Sequence, residues 1–436
     1  MSGRRFRSHR WMRQHESSLS SLGGVEVGGV QLSSPVMTAS GTAGHANELG
    51  SYFDTSLLGA MVVKSLSAQP WAGNASPRVH PTPAGMINAV GLQGPGVNDW
   101  LKDDLPALVA AGARVVVSVW GRSVDEYAEA ARMLAVAVPP QVVALEVNLS
   151  CPNLEGRRGI FAHDAELSAE VVAACSVARL PMWAKLRPNT DRVVEVASAV
   201  REAGAVAVTL INTALGMVID VESGKPVLGN GGGGLSGAAI HPIAVRTVHD
   251  VHQAIPQLDI IGVGGVRNGV DAIELMMAGA KAVQVGTATF ADPYASIRVA
   301  DEMVAWMQSH GHSSWRELRV RGSGLLMSGS VPVDFSARAD ALAEAVVIRD
   351  RITELRADVT SGRITVEAIL ANPTSAAYRS VSVLKAFECA PTLGKTGART
   401  VLQSAGVLHT TTIDELSSGD ITKLEQAIID RKSKAQ

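Results

Sequence analysis

The chain has 436 residues, 18% of them charged, and a formal net charge of −2. With neither sign in excess, no long-range field draws the whole molecule onto nucleic acid or a charged membrane. Its three cysteines, Cys151, Cys175 and Cys389, are an odd number set far apart, which makes neither a disulfide framework nor a metal cluster and fits a reducing cytoplasm.

Residues 1–22 read as a flexible basic arm carrying Arg4, Arg5, Arg7, Arg10 and Arg13, without the continuous apolar stretch of a signal peptide. No apolar run anywhere reaches spanning length, so no transmembrane helix is expected. Over residues 23–310, short Val/Ile/Ala-rich runs alternate with amphipathic segments, the order of parallel strands with helical crossovers. Eight runs stand out, at 36–40, 60–65, 114–120, 144–150, 182–186, 206–212, 259–263 and 282–286. Helices are expected at 124–135, 165–176, 191–202, 239–254 and 270–277. Eight strand–helix repeats in this length predict an α/β chain built on a (β/α)8 TIM barrel. A doubly wound sheet is the alternative, but it calls for a Gly-rich turn after the first strand, which is absent.

Two insertions break the alternation, at 69–96 and 217–234. Both follow strand C-terminal ends, where loops that cover a site belong, and the second reads as a β-hairpin turning at Ser223-Gly224. Residues 311–340 form a connector. Residues 341–436 are expected to make a small all-α C-terminal domain, with helices at 341–359, 366–371, 375–388, 398–404 and 420–432.

The chemistry concentrates in Ala144-Leu-Glu-Val-Asn-Leu-Ser-Cys-Pro-Asn153, an apolar strand that ends on polar groups. A barrel strand has its C-terminal end at the ligand face, so Asn148, Ser150, Cys151 and Asn153 point at a site. A lone Cys beside such a strand is more often a buried small hydrophobe. Two asparagines and a serine beside it make poor core, because each would need partners in a dry interior. Glycines supply a second signal. Gly262-Val-Gly-Gly265 closes the seventh run, Gly286-Thr287 the eighth, and Gly233-Gly-Leu-Ser-Gly237 precedes a helix; bare backbone N–H groups after strands 7 and 8 are the usual phosphate site of a barrel. Lys64 and Lys185 lie at the ligand ends of apolar strands, where an unpaired ammonium would be costly to desolvate.

Asn-Leu-Ser-Cys-Pro-Asn resembles the signature of class 1 dihydroorotate dehydrogenases, and the resemblance runs from about residue 23 to about residue 308. It implies FMN as cofactor and dihydroorotate oxidised to orotate in pyrimidine biosynthesis. Cys151 would be the catalytic base, with Ser150 beside it. The substrate positions would be Lys64, Asn88, Gly91, Leu92, Asn148, Asn153, Asn212 and Thr213. The cofactor positions would be Ala39, Ser40, Gly41, Lys64, Ser65, Asn148, Lys185, Ile211, Ser236, Gly237, Gly264, Gly265, Gly286 and Thr287. Four amides can read both the imide edges and the carboxylate of a small pyrimidine. An ordinary thiol with a pKa of about 8.5 is a poor base at neutral pH, so its surroundings must lower that value or activity must rise with pH. Trp120 and Gly94 depart from the family pattern, which has a small residue and often Asn there.

The hairpin followed by Gly-Gly-Leu-Ser-Gly looks most like the NAD-linked subclass. That implies a partner subunit carrying FAD and an iron–sulfur cluster, since no cysteine cluster here could hold one, and a homodimer through the barrel. The alternatives are a dihydropyrimidine or dihydrouracil oxidoreductase, which shares the Ser-Cys-Pro element, and a nucleoid DNA binder with an inactive barrel. In the tail, Val381-Ser-Val-Leu-Lys-Ala and Pro391-Thr-Leu-Gly-Lys-Thr-Gly-Ala-Arg resemble the actinobacterial integration host factor group, with a helix-two-turn-helix like that of a ribosomal protein. This implies nucleic-acid contact through Arg379, Lys385, Lys395 and Arg399. The near balance of acidic and basic residues speaks instead for a helical docking module.

Overall fold

Eight short strands stand side by side in parallel: β1 (Val36–Thr38), β2 (Met61–Val62), β3 (Val115–Val119), β4 (Val142–Asn148), β5 (Met182–Leu186), β6 (Ala207–Leu210), β7 (Asp259–Val263) and β8 (Ala282–Val285). These belong to a computed structural model that describes residues 22–136, 138–150, 152–153, 159–188, 190–318, 354–355, 357–375, 378, 381–408 and 411–434. The strand order is β1-β8-β7-β6-β5-β4-β3-β2, and bonds from Gly59 N to Val36 O (2.8 Å) and from Thr38 N to Ala60 O (3.4 Å) bring the two edges together. The result is the expected (β/α)8 barrel. Residues 1–21 of the expected arm and most of the expected 341–359 helix lie outside the described residues.

Alternation along the strands sorts side chains to two faces. Leu145 and Val147, Val115, Val117 and Val119, and Val208 and Leu210 point outward and are fully buried under the helices. Those helices are α1 (Leu105–Ala110), α2 (Val124–Ala135), α3 (Ala165–Cys175), α4 (Val193–Glu202), α5 (His241–Ala254), α6 (Gly269–Ala278) and α7 (Ala295–Ser309). Polar side chains start three of them by accepting a backbone N–H: Ser123 from Glu126, Asp164 from Leu167 and Asn268 from Asp271. The sequence reading did not place α1 or α7.

The inward face is layered. Val116, Ala144, Trp183, Ala207, Ile261 and Ala282 fill its lower part, and a hairpin of Val25–Val27 and Val30–Leu32 plugs the floor with Val27, Val30 and Leu32. Two residues further along, the inward positions are Ser118, Glu146, Lys185, Thr209 and Gln284, all buried. Above them opens a cavity.

The two insertions are not plain loops. Val79–Thr82 and Gly85–Asn88 from the first join Gly233–Ser236 and Ala214–Gly216 in one antiparallel four-stranded sheet, with Gly234 opposite Asn88. The Gly-rich segment at 233–236 is therefore a strand, and its bare residues let it lie flat against the sheet. The expected hairpin pairs Ile219 with Pro226 and Asp220 with Lys225, with the Asp220 carboxylate accepting from the N–H groups of Glu222 and Ser223 at its turn.

The chain divides into two units, residues 1–328 and 329–436. The second holds α8 (Val366–Ala371), α9 (Val383–Glu388), α10 (Gly394–Ala405) and α11 (Ser418–Lys434) around Ile369, Phe387, Leu402, Ile413 and Leu424. One helix was expected over 375–388, but α9 starts only at Val383, because extended Ser382 caps it by accepting from Lys385 N at 3.3 Å. No helix among the described residues is long and apolar enough to cross a membrane.

Candidate functional site

The cavity at the C-terminal ends of the strands encloses about 1200 Å³. Its wall includes Ala39, Ser40 and Gly41 after β1, Lys64 and Ser65 after β2, Asn148 and Ser150 at β4, Lys185 of β5, and Ile211, Asn212 and Thr213 after β6. Gly264 and Gly265 follow β7, Gly286 and Thr287 follow β8, and the top is closed by Asn88 and Ser236 of the four-stranded sheet with Gly91, Leu92 and Gly237 just beyond its strands. Cys151 lies outside the described residues. Asn153 is placed only as backbone, in a two-residue strand Pro152–Asn153 paired with Gly159–Ile160.

Under the cavity runs a continuous polar network. Lys185 Nζ donates to Ser40 Oγ at 2.9 Å, Gln284 Oε1 at 3.3 Å and Glu146 Oε1 at 3.4 Å. The Glu146 carboxylate also accepts from Ser118 Oγ (3.2 Å), Thr209 Oγ1 (3.2 Å) and Gln284 Nε2 (2.8 Å), so a fully buried charge has a cation and three hydrogen bonds. Ser118 passes the chain to Ser65 at 2.8 Å, Asn148 Nδ2 donates to Ser65 Oγ at 3.1 Å, and Asn212 Nδ2 donates to Asn148 Oδ1 at 3.1 Å. These bonds lock both amides in one orientation, which suits a wall that must read a small planar ligand. The residues around Lys64 are electrostatically unsettled. Burial, then the charge of Arg78, lowers its pKa, and burial followed by Lys64 pushes His45 down to about 4 against the pull of Glu48. A half-buried ammonium of this kind favours an anionic occupant, whose charge would restore it.

The glycines after β7 and β8 form an anion cradle. The N–H groups of Gly264, Gly265, Gly286 and Thr287 donate to no acceptor among the described residues. Gly265 sits at φ +70, and a Cβ there would lie 2.6 Å from His241 Cβ, so only glycine lets the backbone approach this closely. Thr287 Oγ1 donates to Ser236 Oγ at 2.8 Å across the same wall.

Three groups in this layer escaped the sequence reading. Glu146 and Gln284 were counted within apolar strands, although two-residue spacing from Asn148 and from Gly286 puts them on the inward face. Arg187, buried and on the cavity wall, donates to Ser150 O at 3.0 Å and with burial lowers the pKa of His163. The two departures from the family pattern meet at Trp71. Its backbone pairs with Gly94 (2.9 and 3.0 Å), its ring packs edge-on to Trp120 at 6.1 Å, and its Nε1 donates to Gly91 O at 2.9 Å.

In the tail, Lys385 and Arg399 both face Glu388 at 3.9 Å. Arg379 lies outside the described residues, and of Lys395 only the backbone is placed.

Comparison with known proteins shows the family. A family model described as dihydroorotate dehydrogenase matches residues 24–307. The chain is similar to the protein named dihydroorotate dehydrogenase B (NAD(+)), catalytic subunit, of Geotalea uraniireducens (strain Rf4), at 44% identity over 67% of this chain and 96% of the relative. The protein of the same name from Pelobacter propionicus (strain DSM 2379 / NBRC 103807 / OttBd1) is 46% identical over 66% of this chain and 94% of its own length. That from Anoxybacillus flavithermus (strain DSM 21510 / WK1) is 44% identical over 66% and 91%.

Proposed function

The chain belongs to the dihydroorotate dehydrogenase family, and from that premise we propose how its barrel carries out the oxidation of dihydroorotate to orotate in pyrimidine biosynthesis. The observation that carries the reading is convergence. Lys64, Asn88, Asn148, Asn212 and the two halves of the glycine cradle come from six separate stretches of chain and line one cavity.

The cradle of Gly264, Gly265, Gly286 and Thr287 fits the phosphate of FMN, and Ala39, Ser40, Gly41, Ser65, Lys185, Ile211, Ser236 and Gly237 are the residues that would hold the rest of it. When bound, FMN supplies the hydride acceptor. Lys64 and Lys185 offer cationic donors to an electron-rich ring edge. Asn88, Asn148, Asn212, Thr213 and the Gly91-Leu92 backbone hold the substrate's amide edges and carboxylate. Asn153 and Ser150 fix the loop on which Cys151 removes the carbon-5 proton. Arg187, through Ser150 O, steadies the strand end before that cysteine.

Titration of the purified, flavin-loaded protein tests this. Orotate is expected to perturb the flavin absorbance, and dihydroorotate to bleach it without air. A response to uracil but not orotate would transfer the reading to dihydropyrimidine oxidation, and a colourless protein would leave the barrel inactive.

The names of the relatives include a catalytic subunit and NAD(+), which supports electrons leaving through a second subunit, and the resemblance to the NAD-linked subclass supports FAD and an iron–sulfur cluster on it. Assays of the single chain with NAD, fumarate and quinone are expected to show little NAD reduction. The barrel pairs as a homodimer in the cytoplasm. For the tail, the resemblance to integration host factors supports nucleic-acid contact, while the pairing of Lys385 and Arg399 with Glu388 lowers the charge available for it. Loss of duplex-DNA retention on removal of residues 341–436 is the expected outcome.

A further inference from the structure

His241 opens α5 immediately behind the anion cradle, and its side chain is only 10% exposed. Its Nδ1 lies 2.8 Å from Gly264 O and its Nε2 lies 3.0 Å from Glu274 Oε2. A carbonyl oxygen only accepts, so the first contact is an Nδ1–H donating to Gly264 O. Gly264 and Gly265, at φ +133 and +70, are joined by a peptide that glycine on either side leaves free to rotate. In a trans peptide the C=O and the following N–H point in opposite directions. A bond that draws Gly264 O toward His241 therefore turns Gly265 N–H away from it and toward the cavity.

We propose that His241 is a positioning residue for the cofactor phosphate: its imidazole pins the Gly264–Gly265 peptide with its N–H facing the anion. The inference rests on the FMN reading of the cavity. Donation to the carbonyl also polarises the same peptide, which strengthens its N–H as a donor. The charged groups facing the imidazole are Glu274 and Asp271 of α6, and beyond Asp271 the guanidinium of Arg267, which donates to it at 3.0 and 3.2 Å.

The full-length chain, stripped of flavin and titrated with FMN or with riboflavin, tests this. His241→Ala is expected to bind FMN about tenfold more weakly, the size of one charge-assisted hydrogen bond, with riboflavin unchanged. His241→Gln, whose amide keeps one donor for Gly264 O, is expected to recover most of the FMN affinity that His241→Ala loses. Equal loss of FMN and riboflavin in His241→Ala, FMN binding unchanged in it, or no recovery in His241→Gln would overturn the proposal while leaving the flavin reading intact. A wild-type chain that binds neither compound would overturn both.

Discussion

The floor and the mouth of the barrel are built from the same strands, and their inward positions follow the same two-residue step. At the floor these positions are Ala144, Trp183, Ala207 and Ala282, packed against the plug residues Val27, Val30 and Leu32. One step up they are Glu146, Lys185, Thr209 and Gln284, and the next step brings Asn148, Arg187, Ile211 and Gly286. Alternation alone says which face a side chain takes. The change of chemistry along a strand says which end carries function, and here it occurs within a single step on four strands.

The sharpest test acts at the mouth alone. If Cys151 is the base, Cys151→Ser replaces a group of pKa about 8.5 by a hydroxyl that hardly ionises, and flavin reduction by dihydroorotate should slow by roughly two to four decades. Flavin content and unfolding midpoint should stay as in wild type. Stopped-flow traces across pH would expose a different base if they scarcely changed.

In the middle layer, Lys185→Met leaves the Glu146 carboxylate buried without its cation. A loss of about 3–5 kcal/mol in urea unfolding is expected. Adding Glu146→Gln should recover much of it, and a double variant no better than the single would mean that the pair is not coupled.

Acid unfolding probes the rim. His45 has a folded pKa near 4, below its ordinary 6.5, so the unfolded chain takes up its proton first. Its neutral-state stability is complete above pH 6.5 and is lost as pH falls from there to about 4. His45→Gln should flatten that part of the profile, and an unchanged slope would assign it to other groups.

The smallest effect belongs to Cys175, buried in α3 against the outer face with its thiol pushed up to about 12 by burial. Cys175→Ser should leave flavin reduction unaltered and shift the unfolding midpoint only modestly. Native Cys175 should resist alkylation while half-buried Cys389 reacts, as peptide mass analysis would show.

Much of this was legible in the sequence, for reasons that differ by residue. β5 and β7 were readable to the residue, because five-residue apolar runs bounded by turns have one interpretation. α2 was as clear, with Ser123 marking its start. Lys64, Asn148 and Lys185 were legible because polar groups at strand ends are conspicuous, whereas Ala39, Ile211 and Leu92 came through the family resemblance alone. The roof sheet was not: Val79–Thr82 is interrupted by Pro81, and Gly233–Ser236 is half glycine with no β-branched residue. Its strands form because they pair across distant chain, which no local window contains. Glu146 was hidden by the opposite effect, a charge inside an apolar run whose partners arrive from β3, β5, β6 and β8.

The roof has a consequence for how the protein comes into being. Asn88 Nδ2 donates to Gly234 O, a bond joining positions 146 residues apart, and the adjoining strands span the same interval. As the chain emerges from the ribosome, the first roof hairpin waits through the synthesis of β3, β4, β5 and β6 before its partner exists. The cradle after β7 and β8 is made later still. A binding pocket whose walls, lid and anion seat are completed in that order cannot use its ligand as an early template. The ligand is then a late ratchet, favouring the finished barrel over its precursors by mass action and leaving a truncated nascent chain nothing to hold.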